Sequence, residues 1–517
     1  DGSVSPDLAL VGVVSNGGII KSGAGLLALS SAANTFAGGT TVVNGTLSVN
    51  ADGCLGSALV ATTNALSGGA LQVTGAFAAN SNRSFQLGSS GGTIEVTGAN
   101  TFTIQSAFGG TNSFAFAKTG TGGLTLTQAS AWTGTTAINA GGVTITNASG
   151  LGTGAVTVSS TGTYTLSSGG SVATPVVLNG GTLACSALAT TLAGAVTVQA
   201  GSTIQATTDL TFDTTAAISG AAGLTVNGTG TLTLNADSGG AYTGATTLDA
   251  GTVTLALGHN GALGSGTLAI QSGTITATAV RTLANPITIG GSFTVGGANA
   301  ITGNGAVTLA TANPTITTTT DLTLNGAIGG AGAGITKAGA SVLTLGGGNT
   351  YSGITAVNAG TLRLTGSTGT LSGNVTVAAG ATFDIDNTGT ANPNRIPDGA
   401  SVTLSGGAFT MTAPNNTSRT ETIGTLVLGA GSSSLALTHA GTGASQLTAG
   451  ALSRLDGGFL TFTRSSPGNN TLSNLFISSG YADGTSVPSV TVNEGVSAIG
   501  PGVYDSIPTP YGVILGT

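Results

Sequence analysis

One phrase, repeated four times, restricts this chain to a narrow set of folds. The fourth copy is ITKAGASVLTLGGGNTYSGITAVNAGTLRLT, residues 335–365. It alternates apolar with small polar residues, as in Val342-Leu343-Thr344-Leu345 and Leu362-Arg363-Leu364-Thr365. Turn residues cut these runs at Gly346-Gly347-Gly348-Asn349 and Asn358-Ala359-Gly360. Alternation with a period of two, bounded by Gly and Asn, predicts short strands joined by tight turns. The other copies lie at 18–50, 116–147 and 224–256, about 97, 109 and 110 residues apart, and repetition on this scale points to a stacked architecture.

The copies share fixed points. Lys21, Lys118 and Lys337 are the only lysines, and all three stand at one motif position, which Asn227 is expected to fill in the third copy. An aromatic precedes the central turn in each: Phe36, Trp132, Tyr242 and Tyr351. The second turn carries Asn44, Asn139, Asp249 and Asn358. Spacers have landmarks too, with Leu55-Gly56-Ser57, Leu151-Gly152-Thr153 and Leu263-Gly264-Ser265 each following a motif. The phrase Lys-x-Gly-x-Gly-x-Leu-x-Leu, Asn-x-Tyr-x-Gly, Asn-Ala-Gly-Thr-Leu resembles the autotransporter-associated β-strand repeat of bacterial passenger regions. That resemblance covers roughly residues 18–450 and implies a cell-surface β-solenoid scaffold.

Composition narrows the class further. Gly occurs 90 times among 517 residues without a Gly-X-Y period, which excludes collagen. With 40% hydrophobic residues and a net charge of −7, the chain has the means to fold. No apolar run reaches the roughly 18 residues of a membrane-spanning helix. The 10 basic residues are scattered singly, which argues against nucleic acid as a partner. The sole methionine is Met411, and the chain opens at Asp1, as expected of a product trimmed after secretion. Two cysteines fit an extracellular protein that does not depend on disulfides.

The predicted fold is all-β: a right-handed, single-stranded parallel β-helix. Within a motif, Gly25 to Gly45 and Ala340 to Gly360 mark coils of about 20 residues. Stacked at about 4.8 Å, they give on the order of 20–25 coils and a rod of roughly 100–120 Å. Right-handedness follows from the general rule for parallel crossovers. Residues 1–17, with the run Leu8 to Val14, are expected to form a capping or joining strand. Residues 18–450 form the solenoid. Residues 451–517 hold five of the 12 prolines and are expected to be an irregular cap and tail. No series of long amphipathic strands predicts a membrane barrel, so no membrane insertion of this chain is expected.

Residues with chemical potential are few. His259 and His439 lie far apart and read as surface turn residues. Gly88-Ser89-Ser90-Gly91-Gly92 spells a nucleophile elbow, but that motif needs a strand-to-helix turn. Asp384-Ile385-Asp386-Asn387 opens like a calcium loop, yet Arg395 stands where the closing glutamate belongs. Asp384 and Asp386 are therefore a weak metal candidate, and alternation places both toward solvent. Cys54 and Cys185, 131 residues apart, read as an unpaired turn thiol and a small core residue. The lysines read as exposed turn residues in one row, and the aromatics as corner packing rather than a sugar platform. No catalytic residue and no cofactor is expected.

The function expected is that of a non-enzymatic extracellular or cell-surface rod that self-assembles into a fibre, sheath or layer. Few charges leave little repulsion between copies. Leu8, Leu10, Val11 and Val13 at one end, and Val513, Ile514 and Leu515 at the other, are the expected joining residues. The competing reading is an adhesin stalk presenting a surface to a cell, a substratum or a glycan.

Overall fold

The computed structural model describes residues 7–389, 392–414, 417–439, 444–455 and 457–464, with the short strands Asn474–Ile477, Val490–Val492 and Ile514–Leu515. The chain divides into two compact units, 1–266 and 267–517. Both are parallel β-solenoids. The described residues contain no α-helix, only a 3-10 turn at Asp52–Leu55.

In the first unit each coil lays down strands on three faces. On face one the in-register chain runs Leu8, Leu27, Leu47, Leu71, Ile94, Lys118, Ile138, Val158, Leu178, Val198. On face two it runs Phe102, Leu124, Val143, Tyr164, Leu183, Ile204, Val226, Leu248. A third series starts with Ile19–Lys21, Thr40–Val42, Thr62–Leu66 and Arg83–Leu87. It is taken up again by Gly170–Val172, Thr190–Leu192 and Leu210–Phe212. Inward residues are buried and outward ones half-exposed, which is the alternation that a one-sided strand demands. Of the apolar run at the N-terminus only Leu8–Leu10 is a strand, pairing with Leu26–Leu29.

The second unit repeats the plan with Phe293–Val295, Thr315–Thr318, Ile335–Ala338, Thr355–Val357 and Val375–Ala378 on one face. A second face carries Arg281–Leu283, Ile301–Gly303, Leu322–Leu324, Val342–Leu345, Thr361–Leu364 and Thr382–Asp386. Coils lengthen late in the unit. Leu362 pairs with Phe383, but Phe383 pairs with Phe409 and Leu435 with Phe462. Pairing extends into the region expected to be irregular, with Leu460 opposite Val490 and Phe476 opposite Ile514.

Stacked aliphatic rows supply the cohesion, because each inward side chain loses water on both sides. Leu343 sits between Leu322 and Leu362 and is fully buried. Leu343→Ala should cost about 2–5 kcal/mol in urea unfolding, while the outward neighbour change Thr344→Ala should cost under about 1 kcal/mol. Equal costs would contradict this packing.

Candidate functional site

The motif's repeated polar residues are where a site would lie, so their placement decides the matter. The lysines are not exposed. Lys118 and Lys337 are fully buried and Lys21 nearly so. Each occupies an inward strand position, its stem in the aliphatic row and its ammonium at the corner. Lys118 Nζ donates to the carbonyls of Thr119 (2.7 Å), Gly120 (2.9 Å) and, one coil on, Ala140 (3.2 Å). Lys337 Nζ does the same with Ala338 (2.8 Å), Gly339 (2.7 Å) and Ala359 (2.9 Å). Lys21 binds the Gly23 and Asn44 carbonyls.

Two stacked turns create the need for this cation. Gly120 and Gly141 have φ +70° and +67°, and Gly339 and Gly360 have +78° and +65°. A Cβ on Gly360 would lie 2.4 Å from the Gly339 oxygen, so only glycine fits. Turn carbonyls gathered at the corner lack partners, and one ammonium satisfies them across two coils. Burial pulls Lys118 and Lys337 down to about 8, with Glu95 and Asp321 respectively acting in the opposite direction.

In the third copy the equivalent inward position is Val226, not Asn227. Val226 continues an aliphatic row between Ile204 and Leu248. The turns change shape with it: Gly228 and Gly251 open to φ +120° and +98°, and Gly228 pairs with Gly251 in the ladder.

The lysines do not share a row either. The first copy turns from the third face to face one, Ile19–Lys21 to Leu26–Leu29. The second turns from face one to face two, Phe116–Thr119 to Gly123–Leu126. The third starts on face two, with Leu224–Gly228. Each copy in this unit thus advances by one corner. Within this unit no single face gathers them.

The aromatics are packed inside corners, and all four are fully buried. Trp132 meets Phe108 and Phe116 edge-on at 5.9 and 6.1 Å and donates from Nε1 to the Phe114 carbonyl (3.0 Å). Tyr242 donates to the Ala245 carbonyl (3.0 Å), and the Tyr351 hydroxyl pairs with that of Thr355 (2.8 Å). The Leu-Gly-Ser landmark covers this ring from the next coil. The Ser57, Thr153 and Ser265 amides donate to the carbonyls of Phe36, Trp132 and Tyr242. A Cβ on Gly152 would stand 1.8 Å from the Trp132 oxygen.

Shortly before the aromatic sits a buried polar residue whose role sequence reasoning missed: Asn34, Ser130 and Asn349 two residues before it, and Ser238 four residues before Tyr242. Asn349 accepts from the Ile328 amide (3.0 Å) below and donates to the Thr370 carbonyl (2.7 Å) above. Asn34 bridges Val14 and Cys54 in the same way. The Asn-x-aromatic spacing was the available signal.

The remaining candidates are also accounted for. Asp384 is buried, contrary to expectation, because its neighbours cover it on the outer face of the strand. It takes the Arg363 guanidinium at 2.7 Å and the Thr410 hydroxyl at 2.5 Å. Asp386 instead accepts from the amide and hydroxyl of Thr388. The Asn387 side chain and the Asp386 carbonyl both accept from the Arg395 guanidinium. Among the described residues no three His, Cys, Asp or Glu side chains cluster to hold a metal ion.

His259 is a half-exposed turn residue, 3.5 Å from Asp237. His439, expected at the surface, is buried at the end of the strand Gly431–His439. Ser89 and Ser90 are exposed in a turn that leads to the strand Gly92–Val96, not to a helix. Cys54 and Cys185 are unpaired and buried. In the second unit a cavity of about 20 Å³ is walled only by apolar side chains and glycine, among them Leu268, Ile287, Phe293 and Leu322, and offers a ligand no polar group. Of the joining residues, Leu8, Val11 and Val13 are exposed and Leu10 is half-buried. Ile514 and Leu515 form a paired strand, and Val513 lies outside the described residues.

Residues 19–49, 116–145, 224–255 and 335–364 match the family model of the passenger-associated-transport-repeat. The chain carries four passenger-associated-transport-repeats. They span about a quarter of its length, and together with the parallel solenoid they fit an autotransporter passenger. No curated protein and no solved structure matched the chain.

Within each repeat the lysine is a corner staple. Lys118→Met and Lys337→Met keep the stem and remove the donors, so each should lose about 2–3 kcal/mol in chemical denaturation. Val226→Met in the third repeat should change stability by less than about 1.5 kcal/mol. Loss of under 0.5 kcal/mol for both lysine variants would show that the staple is idle.

Proposed function

We propose that this chain is the non-enzymatic rod of a surface-exposed or secreted autotransporter-type passenger, and that it acts by joining copies of itself. The observation that supports a scaffold role most strongly is the inward use of the repeat's own chemistry. Lysine, aromatic and asparagine all close corners, and what they leave outside is a mantle of Thr, Ser and Gly with few charges. A catalytic surface needs acids and bases convergent on one face. Here the charged side chains are used singly, as in Arg83 with Asp52 and Arg363 with Asp384.

Self-joining is supported by the N-terminal rung. Leu8–Leu10 pairs on one side with Leu26–Leu29, and Ile19–Lys21 pairs on one side with Thr40–Val42. Around them Leu8, Val11, Val13 and Ile20 are 56, 76, 59 and 73% exposed. Among the described residues neither strand has a second neighbour, and parallel edges beside exposed aliphatics favour addition of another strand. The adhesin reading needs an exposed aromatic or polar cluster, and the motif aromatics are interior.

The triple variant Leu8→Asp, Val11→Asp, Val13→Asp should abolish end-to-end assemblies that the unmodified protein shows by negative-stain microscopy and light scattering. Monodisperse single particles from both proteins would refute joining through this rung.

A further inference from the structure

Among the described residues of the second unit, one buried carboxyl group, that of Glu421, is employed by nothing above. Between the strands Thr382–Asp386 and Val402–Ser405 the chain leaves its coil and returns through Arg395–Ala400. This excursion is what lengthens the coil between Phe383 and Phe409. Its return point is held from three coils. The Arg395 guanidinium, fully buried, donates to Asn387 Oδ1 (2.6 Å) and to the carbonyls of Gly369 (2.7 Å), Gly366 (2.8 Å) and Asp386 (3.3 Å). The Arg395 carbonyl accepts from the Leu371 amide (2.7 Å).

From the following coil Glu421 closes the arrangement. It lies on the strand Arg419–Leu428, fully buried, with Leu447 as its partner on the next strand. Both carboxylate oxygens accept from the Arg395 amide (3.0 Å each), and Oε1 also accepts from the Ile396 amide (2.7 Å). The partners that hold it are backbone amides, because the Arg395 side chain is engaged elsewhere. A carboxylate so placed meets its own desolvation with backbone amides as its hydrogen-bond partners, helped by the Arg395 charge.

We propose that Glu421 and the Arg395–Ala400 segment form a pH-sensitive clasp, tight when the carboxyl is neutral and loosened when it is ionised. This goes beyond the scaffold role and does not depend on it. The charges facing the carboxyl are Arg395 and Asp398 from the segment itself, with Asp386 beside Arg395 on the preceding strand. The next strand presents Leu447, and Arg419 on Glu421's own strand turns to the Ser418 carbonyl.

Burial raises the Glu421 carboxyl to about 7, against the amides of Arg395 and Ile396 and the Arg395 charge, which lower it; Asp398 raises it further. Opening the segment returns the group to water and to its ordinary value of 4.5. The closed form therefore binds the proton more tightly. Opening gains as pH rises from 4.5 through 7 and levels off above that. Across that span the opening equilibrium should shift on the order of 10²-fold.

Hydrogen exchange of the full chain at pH 5.5 and 8, corrected for intrinsic rates, reads this directly. Protection of the Arg395 and Ile396 amides should fall at least tenfold more than that of the control strand Val375–Ala378, and the difference should vanish in Glu421→Gln. Equal behaviour of segment and control, or the same pH response in Glu421→Gln, would overturn the clasp. A second readout needs no variant. The chain has only three glutamates, Glu95, Glu421 and Glu494, so carboxyl-labelled glutamate gives three titration curves. One should have its midpoint near 7, and three ordinary midpoints would equally overturn the proposal.

Discussion

A parallel ladder imposes one demand that everything else here answers: each coil must present its backbone to the next in unbroken register. Strands meet that demand automatically. Corners do not, because a left-handed glycine turn aims carbonyls inward where no strand can pair them. At Gly120 and Gly141, and again at Gly339 and Gly360, a lysine ammonium fills that deficit. The cost of burying the cation is offset by several carbonyl contacts, and its stem lengthens the aliphatic row instead of interrupting it. Val226 shows the alternative: without the ammonium the turns open, and their glycines pair with each other.

The same constraint explains why the repeat's distinctive side chains point inward. An aromatic fills the opposite bend, in the first three copies a Leu-Gly pair from the next coil closes over it, and in the first and fourth an asparagine two residues earlier ties the coils above and below. All of these are inward. Because each repeat in the first unit advances one corner, even its outward residues fall on different faces. A partner reading one face would meet a given half of the repeat only once in that unit. Distinctive outward chemistry therefore arises away from the repeats, as at the exposed Leu8, Val11 and Val13, which precede the first one.

Much of the architecture was legible because period-two alternation and coil length are local properties. The 20-residue spacing of Gly25 and Gly45 and the inward position of Cys185 are both read directly from it. Errors arose where one side chain serves two environments. Lysine beside glycine looks like a solvated turn, but the alternation Phe116-Ala117-Lys118 had already assigned it inward. Aligning the third copy on its glycine, Val226-Asn227-Gly228 against Lys118-Thr119-Gly120, gives Val226. Asp384 was placed outside by alternation alone, but Arg363 one coil earlier and Thr410 one coil later cover it. That burial depends on which residues stack, and stacking is set by coil lengths that the chain does not announce. The Glu421 clasp was hidden for the same reason, since its partners lie 25 and 26 residues away across an irregular excursion.

The account rests on the lysine ammonium groups being interior, and amine labelling tests that most directly. The chain has three lysines, so mass spectrometry after brief reaction of the native protein with an acylating reagent reports each one separately. Lys118 and Lys337 should remain unmodified under native conditions and react fully once the protein is unfolded. Rapid acylation of both in the native state would place them in solvent and contradict the corner-staple account.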